Sequence, residues 1–100
     1  MLKHIVMWKI KDNVEGVGKT ENINKMKNML ENLKGLIPEI LEIEVGADIN
    51  GSDAAFDVTL YSVFEDENTL LTYQNHPEHV KVAEFVGTIT NQRCLVDYLI

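Results

Sequence analysis

Residues Leu2 to Lys11 alternate with a period of two, yet apolar side chains stand on both faces of the run. Leu2, His4, Val6, Trp8 and Ile10 fall on one face, while Ile5 and Met7 sit among lysines on the other. Period and β-branched content predict a strand. A strand apolar on both sides needs cover on both sides, so a single layer of helices on one side cannot complete this fold.

The rest of the chain supplies one such layer. Asp12 to Gly18 reads as a loop. From Lys19 to Ile37 the period changes to a helical one: Ile23, Met26, Leu30, Leu33 and Ile37 form one stripe, widened by Met29 and Leu36. Thr20 is the expected N-cap and Pro38 the expected stop. A second strand is expected over Ile40 to Ile49, with Leu41, Ile43, Val45 and Ala47 on one face. The turn-forming Asn50-Gly51-Ser52-Asp53 joins it to a third strand carrying Phe56, Val58, Leu60, Ser62 and Phe64. A helix over Glu65 to Asn75 breaks at His76-Pro77. A further helix runs to about Val86, stopping near Gly87, and a last strand spans Arg93 to Ile100.

The order β-α-β-β-α-β, as a single domain over residues 1–100, predicts an α+β, ferredoxin-like fold with both helical segments on one face of a four-stranded antiparallel sheet. Four strands of about six residues make a second face of roughly 400 Å² in projection. The first strand gives that face Ile5 and Met7, and the last strand is apolar on both sides, with Leu95 and Leu99 opposing Val96 and Tyr98; apolar area of this size marks an interface. The expectation is a homodimer through the open sheet face.

Composition excludes several classes. The net charge is −7 and Arg93 is the single arginine, with the lysines interspersed among acids. Nucleic-acid binding needs a concentrated positive face, so none is expected. Cys94 is the one cysteine, which rules out an internal disulfide and reads as a small buried hydrophobe. No run approaches the ~20 apolar residues of a membrane span, and Met1-Leu2-Lys3-His4 lacks a leader-like apolar stretch. A reduced, cytoplasmic setting is expected, without membrane contact. No phosphate-cradling glycine loop, Gly-x-Ser-x-Gly or Cys-x-x-Cys is present, and no cofactor is expected.

Chemistry concentrates in Tyr73-Gln74-Asn75-His76-Pro77-Glu78-His79, with His4 on the strand face turned towards the helices. An imidazole near neutral pKa beside a phenol can form a general acid/base pair. The same histidines can equally be hydrogen-bonded structural groups. A metal site has too little to work with: His76 precedes the helix that carries His79, no carboxylate completes a ligand set, and none is expected.

The opening Lys3-His4-Ile5-Val6-Met7-Trp8-Lys9-Ile10-Lys11-Asp12, together with Tyr73 and His76-Pro77-Glu78-His79-Val80, resembles the stress-responsive A/B barrel (Dabb) family from about Leu2 to Tyr98. The resemblance implies a dimeric ferredoxin-like α+β barrel, linked in plants to stress responses and in many bacterial members to no assigned activity. In one plant enzyme of this type, which closes a polyketide chain by aldol condensation, a Tyr and a His of the same segment act. By position these fall on Tyr73 and His79, with His4 in the same cavity. Val6, Trp8 and Leu60 are then expected as its apolar wall, Met26 and Leu30 as its helical side, and His76 at its edge. Trp8 is bulkier than an aliphatic residue and leaves such a cavity small or filled. The reading is a homodimer that binds a small apolar or carbonyl ligand between helices and sheet. The alternatives are a small-molecule enzyme using Tyr73 and His79, or, by fold analogy, a cofactor-independent monooxygenase or haem-degrading protein.

Overall fold

A computed structural model describes residues 1–100. Its elements are β1 (Leu2–Ile10), β2 (Asn13–Val14), β3 (Val17–Gly18), α1 (Lys19–Asn32), β4 (Glu42–Ala47), β5 (Val58–Phe64), α2 (Glu67–Asn75), α3 (Pro77–Ile89) and β6 (Thr90–Leu99). β4, β5, β1 and β6 form one antiparallel sheet in that order, with β1 flanked by β5 and β6. This is the expected α+β, ferredoxin-like arrangement.

The core lies between the helices and one sheet face. Leu2, Val6, Trp8 and Ile10 of β1 pack with Val58, Leu60 and Phe64 of β5, against Met26 and Leu30 of α1 and Val82, Val86 and Ile89 of α3. The alternation of β1 thus decides its faces as expected, and His4 stands inside at 3% exposure.

Several boundaries differ, each for a local reason. The expected loop after β1 holds a two-residue hairpin, β2 to β3, turned by Glu15 and Gly16, both at positive φ (51° and 86°) as a type I′ turn requires. Thr20 does not cap α1: Gly18 precedes the helix without a side-chain cap. Lys19 ties that end to Asp12 and Asp57 instead. α1 ends at Asn32 and tightens into a 3-10 turn, Leu33–Gly35, before Pro38 is reached; this still buries Leu33 and Ile37 but leaves Leu36 exposed. Leu41 and Phe56 fall outside β4 and β5. α2 starts two residues late because Asp66 caps it reciprocally with Thr69. α3 runs through Gly87, because Ile89 in the next turn is buried, and β6 follows without a loop.

The two sheet edges are unlike. On the β4 edge, Lys27 donates to Val45 O (2.7 Å) and Glu31 Oε2 accepts from Val45 N (3.1 Å), while the two side chains pair at 2.9 Å. Side chains from α1 thus occupy backbone groups that would otherwise invite another strand. No side chain hydrogen-bonds the backbone of β6, which exposes Leu95, Val96, Tyr98 and Leu99 on its two faces.

Candidate functional site: a cavity over His4, Tyr73 and His79

The His76–Pro77 break positions the site. His76 is extended (φ −65°, ψ 134°), and its Nδ1 accepts from the Glu78 N–H at 3.1 Å, capping α3 while Pro77 takes the first helical position. α2 therefore ends and α3 begins within two residues, which brings Tyr73 of one and His79 of the other together. Their rings lie 4.4 Å apart at 49°, with Phe64 4.9 Å and His4 6.5 Å from Tyr73.

Between these rings, the sheet and α3 lies a cavity of about 210 Å³. Of the expected residues, it brings together His4, Val6, Trp8, Leu30, Leu60, Tyr73 and His79. Two do not belong to it. Met26 is wholly buried in the core, one turn of α1 before Leu30, and His76 is spent on the cap of α3. Trp8 walls the cavity without filling it. Arg93 and Thr90 of β6 and Gly87 of α3 also line it, and none of these was anticipated as a site residue. Asp97 was missed too: its carboxylate accepts from His4 Nδ1–H across the β1–β6 pair, leaving that buried imidazole partnered.

The polar groups differ in what they can do. Two buried side-chain atoms have no hydrogen-bond partner, Asn22 Nδ2 and the Tyr73 hydroxyl, and of these residues Tyr73 lines the cavity. Burial pushes the Tyr73 phenol up to about 12, so it stays protonated and acts as a donor. His79 Nδ1–H donates to Gln74 O at 3.0 Å, which leaves Nε2 as the acceptor nitrogen. Burial, followed by His4, Arg93 and His76, lowers the His79 pKa against the pull of that carbonyl, favouring the neutral ring. No three His, Cys, Asp or Glu side chains come together as a metal-holding group.

The lowered His79 pKa has a consequence for stability. A histidine that binds its proton more readily unfolded than folded makes acid destabilising: its contribution is present above the unfolded value near 6.5 and is lost as pH falls through the lower folded value. Thermal melts at pH 7.5 and 5.5 check this. The drop in Tm on acidification is expected to be smaller in His79→Gln than in the parent; an equal drop means His79 is not a source of acid sensitivity.

Fold and site together define a ferredoxin-like α+β domain with an aromatic, histidine-bearing cavity between sheet and helices. The profile of the stress-responsive A/B barrel domain, Dabb, matches residues 2–100, and the chain belongs to that family. It is 31% identical over 103 residues to a stress-response A/B barrel domain-containing protein of Arabidopsis thaliana; the match covers 99% of this chain and 36% of that protein, so the chain spans about a third of its length. A dimeric protein of unknown function and ferredoxin-like fold from Bacteroides fragilis superposes with a TM-score of 0.88 at 33% identity, covering 99% of this chain and 95% of that one. The hydroxynitrile lyase of Passiflora edulis superposes at 0.85 with 20% identity, over 99% and 92% of the two chains, a likeness of fold alone. No helix is long and apolar enough to cross a membrane.

Proposed function

We propose that this chain works as a cytosolic homodimer whose cavity binds a small carbonyl compound, with the Tyr73 hydroxyl donating to the carbonyl oxygen. The observation that carries the reading is the wholly buried Tyr73 phenol, protonated and without a partner, on the wall of the cavity. Leaving a buried donor unsatisfied costs roughly 1–3 kcal/mol, a cost that a bound acceptor removes. About 210 Å³ equals roughly seven water volumes and falls below the usual range for drug-sized ligands. The ligand is therefore small, and a haem is far too large.

The dimer rests on separate ground. The Bacteroides fragilis relative is dimeric. Here the open sheet face presents Met7, Val96 and Tyr98, each more than a third exposed, with Ile5 between them. A groove of about 390 Å³ on that face, lined by Met7, Gly46, Phe56 and Thr59, offers a second copy somewhere to seat a side chain.

The neutral His79 ring supports a second, catalytic reading of the same cavity. Its Nε2 would take the proton from the carbon next to the carbonyl while the Tyr73 hydroxyl holds the resulting enolate oxygen. Exchange of deuterium from solvent into that carbon of a bound ketone, followed by proton NMR, decides between binding and catalysis.

Tyr73→Phe tests the main reading because it moves stability and binding in opposite directions. Removing an unsatisfied buried hydroxyl leaves Tm unchanged or raises it, whereas binding of 2-hexanone, read by the fluorescence of Trp8 in the cavity wall, is expected to weaken about tenfold. If the ketone binds Tyr73→Phe as well as the parent, the hydroxyl is not the carbonyl's partner and the reading fails.

A further inference from the structure

The wall of the cavity is polar at two places with different chemistry. On β1 it runs from His4 to Trp8, and the residues opposite them on β6 are Asp97 and Arg93. Four residues of strand separate the two positions by about 13 Å. Near His4 stand the Tyr73 phenol, the donor of the carbonyl reading, and the His79 ring, whose Nε2 can only accept. Val6, Leu60 and Val86 line the aliphatic middle. At the Trp8 end stand Arg93 and the hydroxyl-bearing Thr90.

Arg93 is the only arginine of a chain with net charge −7, and acids outnumber bases 16 to 9. Arg93 is exposed to solvent on one side while it lines the cavity on the other, and the ion pairs of the chain involve His4, Lys19, Lys27 and Lys81, not Arg93. Its side chain makes no hydrogen bond either. No acidic residue lines the cavity, and Asp97 at the far end is engaged with His4. Arg93 is close enough to His79 to oppose its protonation, so its charge is felt inside. The cavity thus has an exposed cation without a counter-ion at one end and, at the other, Tyr73, whose buried hydroxyl has no acceptor.

We infer that the ligand of this cavity is a short aliphatic oxo-carboxylic acid, its carboxylate held by Arg93 and its ketone oxygen by Tyr73. The inference rests on the carbonyl reading of the cavity and narrows it to an anion. A guanidinium suits a carboxylate because its planar fork donates two parallel hydrogen bonds. The overall negative charge repels anions at long range, so selection falls to this local contact rather than to steering.

Trp8, the only tryptophan, reports binding from within the wall. The probes are 4-oxopentanoate and its methyl ester at pH 7.5, which share the ketone and differ in charge, titrated into the intact chain and into Arg93→Gln. The acid is expected to bind the parent about 10- to 100-fold more tightly than the ester, as charge-assisted hydrogen bonds allow. In Arg93→Gln that preference is expected to vanish while ester binding is retained, which also shows that the variant is folded. Equal binding of acid and ester by the parent, or a preference that survives in Arg93→Gln, overturns the carboxylate inference and leaves the carbonyl reading standing. If neither probe binds the parent, both fall.

Discussion

Val96→Lys is expected to convert a dimer into single chains of 11.4 kDa at micromolar concentration, without unfolding them. Val96 lies midway along β6, opposite Ile5 on the sheet face away from the helices, and is 51% exposed in the isolated chain. A lysine there costs the monomer little. In a dimer built on this face, the two-fold axis brings two ammonium groups among apolar side chains, and the effective penalty for burying each is several kcal/mol. That weakens association by about a thousandfold or more. Leu95→Lys is the control, because Leu95 is comparably exposed at 46% but points to the helix side of the same strand. Sedimentation velocity reads both. A one-chain mass for the parent sinks the dimer outright. Dissociation by Leu95→Lys but not Val96→Lys moves the interface to the other side of β6.

How much of this was legible in the sequence depends on how far apart the cooperating residues lie. The faces of β1 could be read because alternation is a local property: Val6, Trp8 and Ile10 had to go where His4 went, and all four are buried. The Tyr73–His79 pairing was equally local, since Pro77 enforces a break between them. The same closeness misled the reading of His76. Its place in the cluster suggested a cavity residue, but an extended residue directly before a helix folds its side chain onto that helix, and its imidazole does so through the Glu78 N–H. Met26 and Leu30 share a helical stripe, and spacing alone cannot tell which turn faces a cavity and which meets solid core.

Asp97 and Arg93 had no such signal. They meet His4 and Trp8 only through the register of two strands at opposite ends of the chain. Alternation does place Arg93, Leu95, Asp97 and Leu99 together on one face of β6. Which face meets the helices, however, depends on pairing, and a one-residue slip reverses it. The hairpin at Asn13–Gly18 escaped for the opposite reason: Glu15 occupies a positive-φ position where glycine or asparagine is the usual cue.

If the cavity takes the small ligand proposed above, Trp8 in its wall limits the size of that ligand, and Trp8→Ala is expected to show this through stability and ligand choice together. Its side chain is 5% exposed, lines the cavity together with Leu30 and Leu60, and belongs with them to the hydrophobic core. Truncating a buried tryptophan to alanine costs about 3–5 kcal/mol, a large part of the roughly 5–15 kcal/mol that holds a domain together. A fall in Tm of ~15 °C or more follows for a chain of this size. The lost volume adjoins an existing cavity, so the space opens into it instead of closing by collapse. Indole therefore restores part of the lost Tm in the variant and leaves the parent unmoved, since a ligand at about a hundred times its dissociation constant contributes about 2.7 kcal/mol. Bulkier ketones excluded from about 210 Å³ are expected to bind the variant, detected by calorimetry because the fluorescent reporter is gone. A Trp8→Ala chain that loses little stability, or one that indole does not rescue, would place the tryptophan outside the wall. The selection of a small ligand would then need another cause.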